Sequence, residues 1–278
     1  MPIITLTTDF GTKDHFVAAV KGAILSENYD AKIVDISHEI SPFNLIETGY
    51  IVKNAYKSFP KGSIHIIGVD SELNEDCKHI GLKFDGHFFI CPDNGIMPYI
   101  TKDAVIEELV EINIHDRVET SFPVLDVFVK VAAHIERGGK LAVIGKPLAE
   151  LTPGHDLQPI VRKESDTIIA HVIYIDNYGN AVTNLSKELF EFVGKNRKFT
   201  IHAGYHSFNK ITQRYSDVVN FDLPKEKRHF DGTKIALFNI AGLLEIAIYR
   251  SNLKTVGGAS TLLGLDEKSS IRITFKAE

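Results

Sequence analysis

The first half of the chain alternates short apolar runs with segments in which apolar residues recur at helical spacing. Ile3-Ile4-Thr5-Leu6 predicts a buried first strand, and the apolar positions that begin at Phe16 and end at Ile24 predict a helix of period 3.6. Further strands are predicted at 32–36, 63–69, 79–84, 87–90 and 105–112, and further helices at 44–59 and 125–135. Repeated strand–helix–strand units indicate an α/β domain with a mostly parallel sheet between two helical layers.

The pattern changes after a polar stretch at 151–163 that contains Pro153 and Gly154. Short β-branched runs follow at 167–175, 198–202, 234–239, 244–249 and 270–275, with short helices predicted only at 187–193 and 259–263. We therefore predict an N-terminal α/β domain at 1–152 and a smaller, mainly β, barrel-like domain at 165–278.

Composition narrows the class of protein. The chain has 278 residues, is 44% hydrophobic and carries a formal net charge of −5, with no block of basic residues. Nucleic acid and anionic membrane surfaces are therefore not expected as partners. No apolar run reaches 18 residues and no basic segment precedes an apolar run at the N-terminus, so we expect a soluble cytoplasmic protein. Cys77 and Cys91 are too few for a disulfide framework or a zinc site.

Three aspartates stand where predicted strands end: Asp9 in Thr7-Thr8-Asp9-Phe10-Gly11, Asp70 after the strand at 63–69, and Asp176 before Asn177-Tyr178-Gly179-Asn180. Ligands of open α/β sheets bind at the carboxyl ends of strands. A carboxylate there can accept two hydrogen bonds at once, as the two hydroxyls of a ribose require. The alternative for each aspartate is a local role as a helix cap or turn former.

Other chemistries have weaker support in the sequence. His38, His115 or His134 with paired aspartates could hold a divalent ion, but we expect no metal site. Neither a P-loop nor a G-x-G-x-x-G motif is present. Cys77 would act as a nucleophile only with a lowered pKa, which the neighbouring Lys78 and His79 could provide, but an unreactive surface or half-buried thiol is the commoner case.

Taken together, the motifs resemble one family, the S-adenosyl-L-methionine (SAM) hydrolases that form adenosine, also called SAM hydroxide adenosyltransferases and related to fluorinase and chlorinase. The matching segments run in order along nearly the whole chain. They are Thr7–Gly11, Ser37–Phe43, Val69-Asp70, Pro92–Gly95, Asp126–Phe128 with Ala132–His134, Gly145–Pro147, Ile175-Asp176 with Tyr178–Asn180, Thr183-Asn184 and Gly242–Ala247.

The resemblance implies an N-terminal α/β domain, a C-terminal β-barrel, and a homotrimer with sites between neighbouring subunits. By motif, Asp9 corresponds to the carboxylate that binds the ribose hydroxyls, and Phe43 lies at a pocket-lining position. Asp176 corresponds to the acceptor for the methionine ammonium, Tyr178 to an aromatic wall, and Asn180 to the amide that reads the adenine edge. The implied ligand is SAM or adenosine, with no cofactor required.

The chain departs from the family pattern where water is activated. Asp70 matches the catalytic aspartate, but Cys77 stands at the position of the first arginine, Lys78 at that of the second, and Pro123 at that of the histidine. His115 or Arg117 could supply a replacement. The Asn-Ser segment that helps to bind methionine in the family reads Asn239-Ile240 here.

The expected function is hydrolysis of SAM to adenosine and methionine by attack of water at C5′, with a divergent water-activating site. Two alternatives stay open: a non-catalytic SAM- or adenosine-binding protein, and an enzyme that acts on another 5′-substituted adenosine.

Overall fold

The computed structural model describes residues 2–102, 104–114, 120–228 and 230–276. The chain divides into two compact units, Met1–His155 and Asp156–Glu278. None of the helices in these described ranges combines the length and the apolar character needed to cross a bilayer. The domain limits predicted from the sequence, 1–152 and 165–278, stay a prediction.

A seven-stranded sheet forms the centre of the N-terminal unit. Its strands, in chain order, are β1 (Ile3–Thr8), β2 (Lys32–Ser37), β3 (Ile64–Gly68), β4 (His79–Phe84), β5 (His87–Pro92), β6 (Ile106–Ile112) and β7 (Gly145–Pro147). The spatial order is β2-β1-β3-β5-β4-β6-β7. The ladders from β2 to β5 are parallel and the last three are antiparallel, so five of these seven described strands run in the same direction.

Helices cover both faces of this sheet because its strands are apolar on both sides. They are α1 (Phe16–Glu27), α2 (Leu45–Ala55), α3 (Met97–Thr101), α4 (Val129–Glu136) and α5 (Leu141–Ile144). One core joins Ile64 and Ile66 of β3 to α1 and α4, and a second joins Ile67 to α2 and α3. Alternate residues of one strand thus enter different cores, which confirms the predicted three-layer arrangement.

Local sequence patterns predicted most of these strands and helices close to their observed positions. The predicted hairpin at Asp85-Gly86 joins β4 to β5, and both turn residues have positive φ, 48° and 69°. The helix predicted at 44–59 ends earlier, at Ala55, and continues only as a 3₁₀ turn to Ser58. Phe59 is extended because a residue before proline, here Pro60, is disfavoured in the helical region.

The C-terminal unit contains an antiparallel sheet with the strand order β12-β11-β15-β9-β10-β14-β13 and with β8 paired to β9. Its strands are β8 (Ile160–Arg162), β9 (Thr167–Ile175), β10 (Ala181–Ser186), β11 (Phe199–Ala203), β12 (His206–Phe208), β13 (Lys234–Phe238), β14 (Leu243–Ile248) and β15 (Ser270–Phe275). Helices α6 (Lys187–Gly194) and α7 (Ala259–Leu262) complete the unit. The sheet curls around a core of inward apolar residues into a nearly closed barrel, which confirms the predicted fold class.

Candidate functional site

Asp9 lies immediately beyond the carboxyl end of β1, where it was predicted to meet a ligand. Its Oδ2 accepts a hydrogen bond of 3.0 Å from the backbone N–H of Phe43, on the loop between β2 and α2. That loop is fixed by Glu47, which accepts from the backbone N–H of Ser41 at 2.9 Å. A carboxylate has about four acceptor positions, so Asp9 keeps capacity for a further donor.

Asp70 follows β3 and is exposed. Its φ of 48° places it in the left-handed region, which Asp and Asn tolerate better than other non-glycine residues. The Asn94 side-chain amide donates to the backbone oxygens of Val69 and Asp70, each at 3.2 Å. These contacts hold the turn and leave the Asp70 carboxylate available to a ligand.

Asp9, Phe43 and Asp70 line one cavity of about 740 Å³ in the N-terminal unit. Its described lining is aromatic on one side, where Phe10, Phe16 and Phe122 pack with ring centroids 5.4–6.0 Å apart. The remaining lining residues are Pro42, Ser71, Glu72, Leu73, Thr120, Ser121 and Pro123. Three carboxylates and no lysine, arginine or histidine are among these described lining residues, so the described part of the lining favours a ligand with positive charge.

Cys77 and Pro123 lie close to the predicted catalytic aspartate. Pro123 lines the same cavity as Asp70, at the start of a π-helical turn, Val124–Phe128. Burial, the Asp70 charge and the Asp93 charge together raise the pKa of the Cys77 thiol. A neutral thiol is neither a strong nucleophile nor a substitute for a cation.

Among the described residues, neither Lys78 nor its neighbour His79 lines this cavity. Lys78 is exposed and is not among the cavity's described lining residues. His79 is buried, and its Nε2 lies 3.0 Å from the backbone oxygen of Ser71. His115 and Arg117 lie outside the described residues.

Asp176, Tyr178 and Asn180 share one turn of the C-terminal unit. The Asp176 carboxylate accepts from the backbone N–H groups of Tyr178 and Asn180, each at 2.8 Å, and from the Asn180 side-chain amide at 2.9 Å. Asp176 therefore does form a turn, as the local alternative predicted. Tyr178 is 60% exposed, whereas Asn180 is buried. The three residues belong to one sequence motif, and the hydrogen bonds of the turn hold them close together.

Glu245 is a buried carboxylate that sequence reasoning did not single out. One of its oxygens accepts from the Tyr215 hydroxyl at 2.6 Å and the other accepts from the Asn239 amide at 3.2 Å. Burial raises the pKa of Glu245, and the nearby Asp176 charge also raises it. A glutamate inside the apolar run 243–248 was the available signal. Ile240, by contrast, is fully exposed at the tip of its turn.

The sequence holds one histidine pair four residues apart, His202 and His206. The pair lies on the β11–β12 hairpin, where His202 is opposite Ser207 and His206 is opposite Ala203. Residues opposite each other share a face, so the two histidines lie on different faces. Within the part of the chain that the structure describes, no group of three or more His, Cys, Asp or Glu could hold a metal ion.

The fold and the cavity define a class: a protein of two units, one α/β and one antiparallel barrel, with an acidic, aromatic-lined cavity at the carboxyl ends of parallel strands. Residues 4–145 match the SAM hydroxide adenosyltransferase N-terminal domain model, and residues 170–272 match the model of the C-terminal domain. The chain belongs to this family, as its motifs predicted.

Relatives extend the likeness over the whole chain. An (R)-S-adenosyl-L-methionine hydrolase of Methanocaldococcus jannaschii is 33% identical, with 99% of this chain and 97% of that protein covered. A fluorinase of Actinopolyspora mzabensis is 23% identical, with 98% and 97% covered. The crystal structure of an uncharacterized conserved protein from Thermotoga maritima superimposes with a TM-score of 0.81 at 26% identity, covering 98% of this chain and all of that one.

Proposed function

We propose that the protein hydrolyses S-adenosyl-L-methionine to adenosine and methionine. The observation that supports this most directly is the cavity, which combines carboxylates with aromatic rings. A sulfonium cation is attracted by both, since aromatic faces and carboxylates each favour positive charge. Membership of the family and the hydrolase relatives point to the same substrate.

In the proposed reaction, the oxygen of water attacks C5′ while the C5′–S bond breaks and its electron pair stays on sulfur. The leaving group is a neutral thioether, so no general acid is required. Asp70 accepts the hydrogen bond of the attacking water and then its proton. Alignment of water with C5′ inside a desolvated site supplies much of the rate, up to roughly 7–11 kcal/mol of the barrier.

The other predicted site residues have proposed roles that match their surroundings. Asp9 binds the ribose diol, Phe43 lines the pocket, and exposed Tyr178 provides an aromatic wall. Asp176 binds the methionine ammonium through acceptor capacity that its turn leaves unused. For Asn180 to read the adenine edge, its amide must exchange the hydrogen bond that it now donates to Asp176.

A binding protein without turnover is the second candidate. It is favoured by the raised pKa of the Cys77 thiol, because a neutral thiol beside Asp70 supplies no charge to polarise water. An enzyme for a different 5′-substituted adenosine is the third candidate. It is favoured by Ile240, which stands in the segment that reads Asn-Ser in the family and helps to bind methionine there.

The experiment is incubation of the purified protein with SAM, with adenosine and methionine measured by chromatography and mass detection. Asp70→Asn is the test variant. Asp76→Asn is its matched control, since Asp76 is exposed on the same loop and is not among the cavity's described lining residues. Adenosine formed by the wild type and by Asp76→Asn, but lost in Asp70→Asn, supports hydrolysis at this site. Bound nucleoside without adenosine formation favours the binding protein instead.

Assembly and location extend the proposal. By analogy with the family we propose a homotrimer, with each site between subunits, that acts in the cytoplasm without a cofactor. Light scattering of the purified protein coupled to size-exclusion chromatography tests the trimer, and a monomeric mass would contradict it.

A further inference from the structure

A polar network, buried at Thr8 and His38 and open to solvent at Asp35 and Lys21, adjoins the Asp9 turn and links residues far apart in the sequence. The Thr8 Oγ1 is 2.8 Å from the Nδ1 of His38, and the His38 Nε2 is 3.1 Å from the Asp35 Oδ1. The second Asp35 oxygen accepts from the Lys21 ammonium at 2.6 Å. The side chain of His38 is only 4% exposed, and Thr8 is equally buried.

Donors and acceptors in this network follow directly for a neutral His38 ring, in which one nitrogen donates and the other accepts. The ionised Asp35 can only accept and faces Nε2, so in a neutral ring Nδ1 is the acceptor and the Thr8 hydroxyl donates to it, while the Phe10 backbone N–H points to the Thr8 Oγ1 at 3.5 Å. The proton of a neutral His38 ring then sits on Nε2, which faces Asp35. The Nε2–Oδ1 distance is that of a hydrogen bond, although the N–H is not well aligned with the oxygen.

Asp35 anchors the outer end of the network as a carboxylate. Burial raises its pKa, but hydrogen bonds and charge from Lys21 and His38 outweigh burial and leave the pKa lowered. The His38 ring is thus held between a fixed anion and the Thr8 hydroxyl.

His38 also holds the far end of the same turn. Its backbone oxygen accepts from the Gly11 N–H at 2.7 Å, and Gly11 has a φ of 67° that favours glycine. The two contacts of His38, one to Thr8 and one to Gly11, therefore bracket Asp9. Asp9 in turn accepts from Phe43, five residues after His38.

We propose that His38 is a positioning residue which, through Thr8, fixes the Asp9 carboxylate for binding the ribose hydroxyls. The inference rests on the proposed function, since it takes Asp9 as the ribose ligand. Loss of the Thr8–His38 bond should weaken nucleoside binding and raise KM for SAM with little effect on kcat, because Asp70 is held by separate contacts.

The test measures adenosine affinity by calorimetry, together with KM and kcat for SAM, on folded full-length variants. Thr8→Val removes the hydroxyl at nearly constant shape and should weaken adenosine binding about tenfold, the effect of one ordinary hydrogen bond. Thr8→Ser restores the hydroxyl and should recover most of the affinity. Thr5→Val is the matched control, because Thr5 is another buried β1 threonine, bonded to the Nδ1 of His65 at 2.7 Å.

A double-mutant cycle separates positioning from a purely structural role. In an Asp9→Asn background, the effect of Thr8→Val on adenosine affinity should shrink to about twofold or less, because the group that it positions is already impaired. An undiminished tenfold effect in that background would overturn the inference. So would wild-type affinity in Thr8→Val while Asp9→Asn binds weakly.

Two further outcomes are informative. If Thr8→Val does not fold, His38→Asn and His38→Gln replace it: Asn keeps an acceptor near the Nδ1 position and should retain binding, whereas Gln moves the acceptor away and should lose it. Equal affinities of the two would contradict the inference. If Asp9→Asn itself binds adenosine normally, the ribose role of Asp9 fails first, and the inference fails with it.

Discussion

We expect two buried histidines, His65 and His87, to make the N-terminal unit sensitive to acid. The Nδ1 of His65 is 2.7 Å from the Thr5 Oγ1, and its Nε2 is 3.2 Å from the Nδ1 of His87. The His65 ring also stacks on Phe89 with centroids 4.8 Å apart. Burial, followed by the neighbouring His87, lowers the pKa of His65 from 6.5 to about 3.

The shift gives a direction and a magnitude for the pH dependence of stability. Between pH 6.5 and about 3, the unfolded chain binds a proton at this histidine and the folded chain does not, so acid favours unfolding. One pKa unit corresponds to about 1.4 kcal/mol, so protonation of His65 lowers the free energy of unfolding by up to about 5 kcal/mol as the pH falls from 6.5 to about 3, with almost none of this loss above pH 6.5. A loss of this size is a large part of the free energy of unfolding of a typical domain, which is roughly 5–15 kcal/mol.

The assay is urea unfolding, followed by far-UV circular dichroism, at about pH 4.5, 5.5 and 6.5 and at a single protein concentration. His65→Asn keeps a polar partner for Thr5 but does not titrate. Its free energy of unfolding should therefore fall with acid less steeply than that of the wild type, by about 1.4 kcal/mol per pH unit. The matched control is His155→Asn, at an exposed position, which should keep the wild-type slope.

A loss of stability in His65→Asn that is the same at every pH does not change the slope of the free energy of unfolding against pH. Equal slopes for the wild type and His65→Asn would refute the reasoning, since His65 would then take up its proton equally in both states.

Three further predictions concern the site and its surroundings. Asp70→Asn should speed alkylation of Cys77 about threefold at a fixed mildly alkaline pH, because one charge that raises the pKa of the thiol is removed; an unchanged rate argues against their proximity. Cys77→Arg should increase adenosine formation from SAM about tenfold or more, because it places a cation beside Asp70, whereas Cys77→Met should not. Equal rates of adenosine formation by the two variants would show that no cation is needed there. Gly258→Ala should lower the free energy of unfolding in urea by about 1–3 kcal/mol, because the added Cβ would lie 2.5 Å from the Tyr178 backbone oxygen. Gly22→Ala, on the open face of α1, should instead raise it by about 0.5–1 kcal/mol. An unchanged stability of Gly258→Ala would contradict the tight packing.

Local patterns predicted much of the architecture. The first strand and helix, the Asp85-Gly86 hairpin and the change to short β-branched runs after 163 are all present in the structure. Each depends on periodicity or turn chemistry within a few residues, which the sequence displays directly. The order of motifs also led to the family, which the domain matches confirm.

The sequence by itself thus determined the elements, the fold class, the family and the residue types available at strand ends. Only the tertiary structure decided which of them meet: Asp9 with Phe43, Cys77 with the Asp70 charge, and Thr8 with His38. These pairs depend on how distant strands and loops pack, and neither spacing nor composition encodes that distance. Whether a buried histidine is neutral or a thiol is inert follows from the same packing, because pKa depends on the surroundings that the fold brings together.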